Sequence, residues 1–123
     1  MKAKPKQTTP QDTYHAQALL GLLANKWTIH VVYALRHETK RYGEISKVVP
    51  GATQKVLTGT LRKLERSGFV TRTTYPTVPP KVDYKLTELG LELLAMIETV
   101  TNWAKNYEEK IRQAQKAYDR QNN

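Results

Sequence analysis

A mainly α-helical fold with one small β-hairpin is predicted by three features of the sequence. Four short segments with helical apolar spacing come first; two β-rich runs, Phe69 to Tyr75 and Val82 to Thr87, follow across a proline-rich connection; an apolar repeat then fills the last third of the chain. The length of 123 residues suits a single domain. Hydrophobic residues are only 39% of it, which implies a thin core that partner subunits complete. The order helix, helix, short helix, helix, hairpin, helix is that of a winged helix-turn-helix whose hairpin is the wing, here with a long C-terminal dimerisation helix.

Taken in order, residues 1–8 carry Lys2, Lys4 and Lys6 without apolar periodicity and are expected to be a disordered basic tail. Residues 9–118 are expected to form the domain, and 119–123 a second disordered tail. Thr9-Pro10-Gln11-Asp12 is a helix start: the hydroxyl caps, proline suits the first helical position, and the aspartate reaches back. That helix should run to about Ala24. Asn25 caps a second, Lys26 to about His37, with Trp27, Val31, Ala34 and Leu35 on one face. Arg41-Tyr42 is too short to assign as a strand, and Gly43 to Val49 reads as a short helix stopped by Pro50-Gly51. Thr53 caps a fourth helix that ends at Gly68, where positive φ is expected. In the second β-rich run Val82, Tyr84 and Leu86 alternate with Asp83, Lys85 and Thr87, so one face packs; the two runs read as an isolated hairpin. A single helix should follow from Glu88 to about Tyr118.

The formal net charge is +9, and between Arg36 and Lys85 eleven Lys or Arg stand against four Asp or Glu. A field of that sign raises the local concentration of polyanions, so nucleic acid is the expected partner. On the fourth helix, Leu57, Leu61, Leu64 and Thr53 lie together and should face inward. The opposite side collects Lys55, Gly59, Arg62 and Arg66, flanked by Gln54, Thr58 and Lys63, with no acid before Glu65. A recognition helix has this distribution. Because such helices set their N-terminal part against base edges, Gln54, Lys55 and Thr58 are the base-reading candidates; Arg62 suits a base or a phosphate, and Lys63 and Arg66 suit phosphates. Gly59 costs about 1 kcal/mol relative to alanine in a helix, a cost that is explained if the backbone must approach DNA closely. On the wing, Arg72, Lys81 and Lys85 are the candidate contacts, and Pro79-Pro80 stiffens the tip.

In the last helix Leu93, Ile97, Val100, Ala104, Tyr107, Ile111, Ala114 and Tyr118 alternate steps of four and three, a heptad seam on a helix roughly 45 Å long. The seam is expected to clasp a second copy, aided by the first helix from Tyr14 to Leu23, while Leu89, Met96 and Trp103 pack on the same chain. A twofold dimer calls for a pseudo-palindromic duplex with half-sites spaced by whole helical turns. Tyr14, Trp103 and Tyr107 are candidates to line a pocket for a small-molecule effector.

These residues carry a resemblance to the HxlR-type winged helix-turn-helix transcription regulators of bacteria, running from about Leu19 to Tyr107. Its marks are Asn25-Lys26-Trp27-Thr28, where the family usually has Gly-Lys-Trp-Thr; Arg41-Tyr42-Gly43-Glu44-Ile45; Pro50-Gly51-Ala52-Thr53-Gln54-Lys55-Val56-Leu57 leading to Leu61-Arg62-Lys63-Leu64-Glu65; and Tyr75 followed by Pro79-Pro80-Lys81-Val82-Asp83-Tyr84-Lys85-Leu86-Thr87 and Gly90. The resemblance implies a homodimeric, sequence-specific regulator, repressor or activator, of double-stranded DNA, with dimer contacts from the first and last helices. Several members sense oxidants through a cysteine near the first helix. The stretch from about Asp12 to Gln17 has none, nor does any other part of this chain, so cysteine-based sensing is excluded here.

Other classes fare worse. His15, His30 and His37 lack metal-ligand spacing and a nearby acid pair, only Ser46 and Ser67 supply serine hydroxyls, and the six glycines are scattered, so no enzyme, metal or cofactor is expected. No apolar run is long enough for a membrane span and no leader is apparent, which predicts a cytoplasmic protein. The competing expectation is a nonspecific architectural DNA- or RNA-binding winged helix, since a basic face alone gives affinity without sequence choice.

Overall fold

The computed structural model describes residues 7–122. The basic tail expected over residues 1–8 therefore falls largely outside the described residues. At Thr9 the backbone N–H and the side-chain hydroxyl both donate to Asp12 Oδ2, at 2.8 and 3.0 Å, and open a short 3-10 turn, Pro10–Asp12. The bond from the Thr9 amide, and then that from its hydroxyl, hold the Asp12 carboxyl below the usual aspartate range. Helix α1 (Thr13–Leu23) follows, and after it α2 (Lys26–Ala34), capped where Asn25 Oδ1 accepts from the Trp27 amide at 2.9 Å. Next come β1 (Lys40–Arg41), α3 (Tyr42–Val48), α4 (Gln54–Arg66), β2 (Val70–Tyr75), β3 (Lys81–Leu86) and α5 (Glu88–Gln121).

The hairpin is not isolated. Strand β1 pairs with β3, Lys40 opposite Tyr84 and Arg41 opposite Asp83, giving a three-stranded antiparallel sheet of order β1-β3-β2. Two residues are too few to show alternation, which is why the sequence hides this strand. The pairing joins the wing to the start of α3, and Arg41 Nε stands 3.9 Å from Asp83 Oδ1 across it.

One core holds α2, α3, α4, the wing root and the first part of α5. Its centre is Val31, Val32, Ile45, Leu57, Leu61 and Leu64, closed by Val70, Leu86, Leu93, Leu94 and Ile97. Gly68 turns the chain from α4 into β2 at φ +82, in the left-handed region that favours glycine. Thr87 then caps α5 by accepting from the Gly90 amide at 3.0 Å and donating to the Gly68 carbonyl. Gly90 is required for a different reason: a Cβ there would collide with the Phe69 carbonyl oxygen and press on Leu86.

Helix α5 departs from expectation at both ends. It continues through Gln121, so residues 119–121, expected to be a disordered tail, are helical. At its start Gly90, Leu93, Leu94 and Ile97 are buried at i, i+3, i+4 and i+7 spacing, the stripe by which a helix packs on its own domain. Leu93 and Ile97, expected at the dimer seam, are thus core residues of the protomer. The stripe expected to pack intrachain is the more open one, with Leu89 and Trp103 exposed and Met96 only half-buried. From Val100 onward every described residue is exposed.

Candidate nucleic-acid interface

Pro50 and Gly51, the latter at φ +92, reverse the chain after α3 and deliver Thr53 as the cap of α4, its hydroxyl oxygen accepting from the Val56 amide at 3.1 Å. Thr53 is therefore an exposed capping residue, and the buried position expected from its helical angle is not found. Its place inside is taken by Thr60, whose hydroxyl is satisfied by the Val56 carbonyl at 2.8 Å. The Tyr42 hydroxyl donates to the Gln54 carbonyl at 3.3 Å and fastens α3 to the first turn of α4.

With Leu57, Thr60, Leu61 and Leu64 turned inward, Gln54, Lys55, Thr58, Gly59 and Arg62 come together around one shallow, open concavity shared with Thr53. No carboxylate lines it. Gly59 has nothing within 4 Å of where a Cβ would stand, so no packing inside the protein demands glycine there. Lys63 and Arg66 are exposed farther along the same helix. The rim of the concavity carries polar and cationic side chains, able to donate to base acceptors or phosphates.

The three wing cations divide by strand parity. Arg72 stands opposite Tyr84, and Val70 opposite Leu86, so Arg72 lies on the sheet face that packs toward α4. Its Nε is 3.4 Å from Glu65 Oε1, which draws it toward α4. Lys81 and Lys85 belong to the other parity and are exposed. Glu65 and Tyr84 were not singled out as functional residues by sequence reasoning. For Tyr84 the signal is the antiparallel register, which pairs it with Arg72 once both strands are aligned; Glu65 lies on α4, and its meeting with Arg72 is set by how that helix packs on the wing. Burial pushes the Tyr84 hydroxyl above the usual tyrosine range. Lys40 is matched by Glu38 at 2.8 Å.

Away from this surface, Val100, Trp103, Tyr107, Ile111 and Tyr118 form an exposed apolar stripe along outer α5, with Ala104 beside them. Trp103 and Tyr107 stack at 5.1 Å between ring centroids. With Tyr14, which is also exposed, they were candidates for an effector pocket, yet the apolar groove nearby is lined by Leu20, Leu23, Ala24, Ile29, Ile97, Val100 and Thr101 instead. Helix α1 has no buried residue, and Leu20 on it is exposed.

The chain is similar in sequence and in fold to known transcriptional regulators. The HxlR-like helix-turn-helix family profile matches residues 22–112. The HTH-type transcriptional regulator YkvN of Bacillus subtilis is 42% identical over 72% of this chain and 75% of its own length. A structure described as a MarR-family transcriptional regulator from Enterococcus faecalis V583 superposes with a TM-score of 0.75 at 30% identity, over 90% of this chain and 99% of that one. The redox regulator HypR in its reduced form gives a TM-score of 0.72 at 33% identity, over 80% and 97% of the two chains.

Proposed function

Since the chain belongs to the HxlR-like helix-turn-helix family and is a DNA-binding transcriptional regulator, we propose that it works as a homodimer on a pseudo-palindromic operator, one α4 entering the major groove at each half-site. The observation that carries this is the carboxylate-free concavity of α4, where Gln54, Lys55, Thr58, Gly59 and Arg62 converge. In this reading Gln54, Lys55 and Thr58 read base edges and Arg62 a base or a phosphate. Lys63, Arg66, Lys81 and Lys85 hold phosphates, which fixes the protein on the duplex without choosing a sequence. Gly59 lets the backbone come close.

Dimerisation is supported by the exposed stripe on α5. Val100, Ala104, Tyr107 and Ile111 retain heptad spacing beyond the protomer's core, and Leu20 and Leu23 of α1, which has no buried residue, line a groove with Val100. Leu93 and Ile97 support the seam from within the protomer. A cytoplasmic and non-catalytic role goes with this reading, and no described helix is long and apolar enough to cross a membrane.

The test is selection of duplexes from a random pool by the full chain, followed by competition. A specific regulator keeps its selected fragment against a large excess of unrelated duplex. Equal displacement by any duplex overturns the reading and favours an architectural role. Light scattering should give a mass near twice the 14.1 kDa of one chain.

A further inference from the structure

Glu65 is the only acid on α4, and it lies one turn beyond Arg62, where the recognition surface meets the wing. Its carboxylate faces Arg72 of β2 at 3.4 Å. Thr58, Leu61, Arg62 and Glu65 of α4, with Arg72 and Tyr84 of the wing, line one small cavity between the two elements. The arginine is therefore not presented as Lys81 and Lys85 are: it lies on the opposite sheet face and points toward an acid.

From this geometry we propose that Glu65 is a specificity-determining residue and Arg72 a positioning residue: the pair sets the wing against α4 and keeps the arginine's charge off the DNA backbone. Both side chains are partly exposed, at 39% and 48%, and exposed pairs add little to folding stability. The consequence lies in where charge stands when a phosphate approaches. A carboxylate beside the reading surface repels any backbone that does not follow the groove α4 fits, and it withholds one cation that would otherwise bind every duplex alike. Sequence preference is sharpened by weakening the binding that carries no sequence information. Arg72 thus leaves the set of wing contacts to DNA that the sequence suggested.

This inference rests on the DNA-binding reading, and its test separates the two. Affinities of the full chain for a wild-type-selected duplex and for a random duplex of equal length are measured by fluorescence anisotropy across a salt series. Glu65→Gln should bind the random duplex about 3- to 10-fold more tightly, with a salt slope steeper by about one released ion, and the ratio of selected to random affinity should fall. Arg72→Gln should lower that ratio without flattening the slope. In Glu65→Gln/Arg72→Gln the slope should return to the wild-type value, a reversal that a purely structural role does not produce. A slope flattened by about one in Arg72→Gln alone shows a direct phosphate contact and overturns the proposal, as does an unchanged slope and ratio in Glu65→Gln. Should the wild-type chain prefer no duplex, the operator reading fails, and the salt slopes on random DNA still decide the role of the pair.

Discussion

On α4 the apolar stripe Leu57, Leu61 and Leu64 is buried within its own chain while Lys55, Arg62 and Arg66 stand on the exposed side. On α5 the apolar stripe is closed only as far as Ile97, and Val100, Trp103, Tyr107, Ile111 and Tyr118 remain exposed. Both helices carry an apolar pattern of helical period, yet only one finds all its cover at home. Periodicity therefore reports that a face needs covering and leaves open which molecule covers it. In α4 the three-residue and four-residue steps end with the helix. In α5 they continue for more than twenty residues past the point where the core stops, and that excess length leaves an apolar face that the chain itself does not cover.

The contrast is broken most directly by removing one apolar side chain from each region. Leu61→Ala should cost about 2 to 5 kcal/mol of unfolding free energy, because its site is enclosed by the chain itself; urea denaturation followed by circular dichroism measures it. Ile111→Asp should leave the helical spectrum in place and halve the mass seen by light scattering. A dimer that survives that change moves the principal contact to α1.

A smaller effect is expected on the polar side of α4. Lys55→Ala and Arg62→Ala should each weaken operator binding by about 1 to 3 kcal/mol if they contact bases, with little change in thermal stability. Unchanged affinity and sequence preference in both variants would remove them from the reading surface.

Gly59→Ala sharpens the comparison further, since the free protein has open space for the added methyl. The variant should gain up to about 1 kcal/mol of stability from helix propensity and lose operator affinity, two effects of opposite sign from one substitution. A gain in stability with unaltered binding would show that no DNA backbone approaches this position.

The smallest effect concerns Tyr84 at the junction of wing and helix. Burial raises its folded-state pKa above the unfolded value near 10, so the folded protein holds the proton more tightly. The stability linked to this group is complete below the unfolded pKa and declines as pH rises through the folded one. Denaturation between pH 9 and 11 should show a shallower decline for Tyr84→Phe than for wild type, and identical curves would dispose of the effect.

Much of this molecule was legible beforehand for local reasons. Thr9, Asn25 and Thr53 announced helix starts because capping is decided within three residues, and Gly68 announced a left-handed turn because only the backbone's own sterics are involved. The polar side of α4 was legible because 100° per residue converts spacing into direction. Thr53 was misplaced by the same arithmetic: a cap residue stands outside the helix, so its side chain does not obey the helical angle. Strand β1 was missed because its hydrogen bonds go to residues more than forty positions away.

What the sequence determined alone was the order and kind of the helices and of the two wing strands, the cationic character of the middle third, the absence of cysteine and the surplus apolar repeat of α5, all of which are properties of neighbours along the chain. The tertiary structure decided that Leu93 and Ile97 close the protomer's own core, that Arg72 faces Glu65 while Lys81 and Lys85 face outward, and that β1 completes the sheet. These depend on how one element is rotated and registered against another, and that rotation is set by the packing of the whole core and by hydrogen bonds between distant residues.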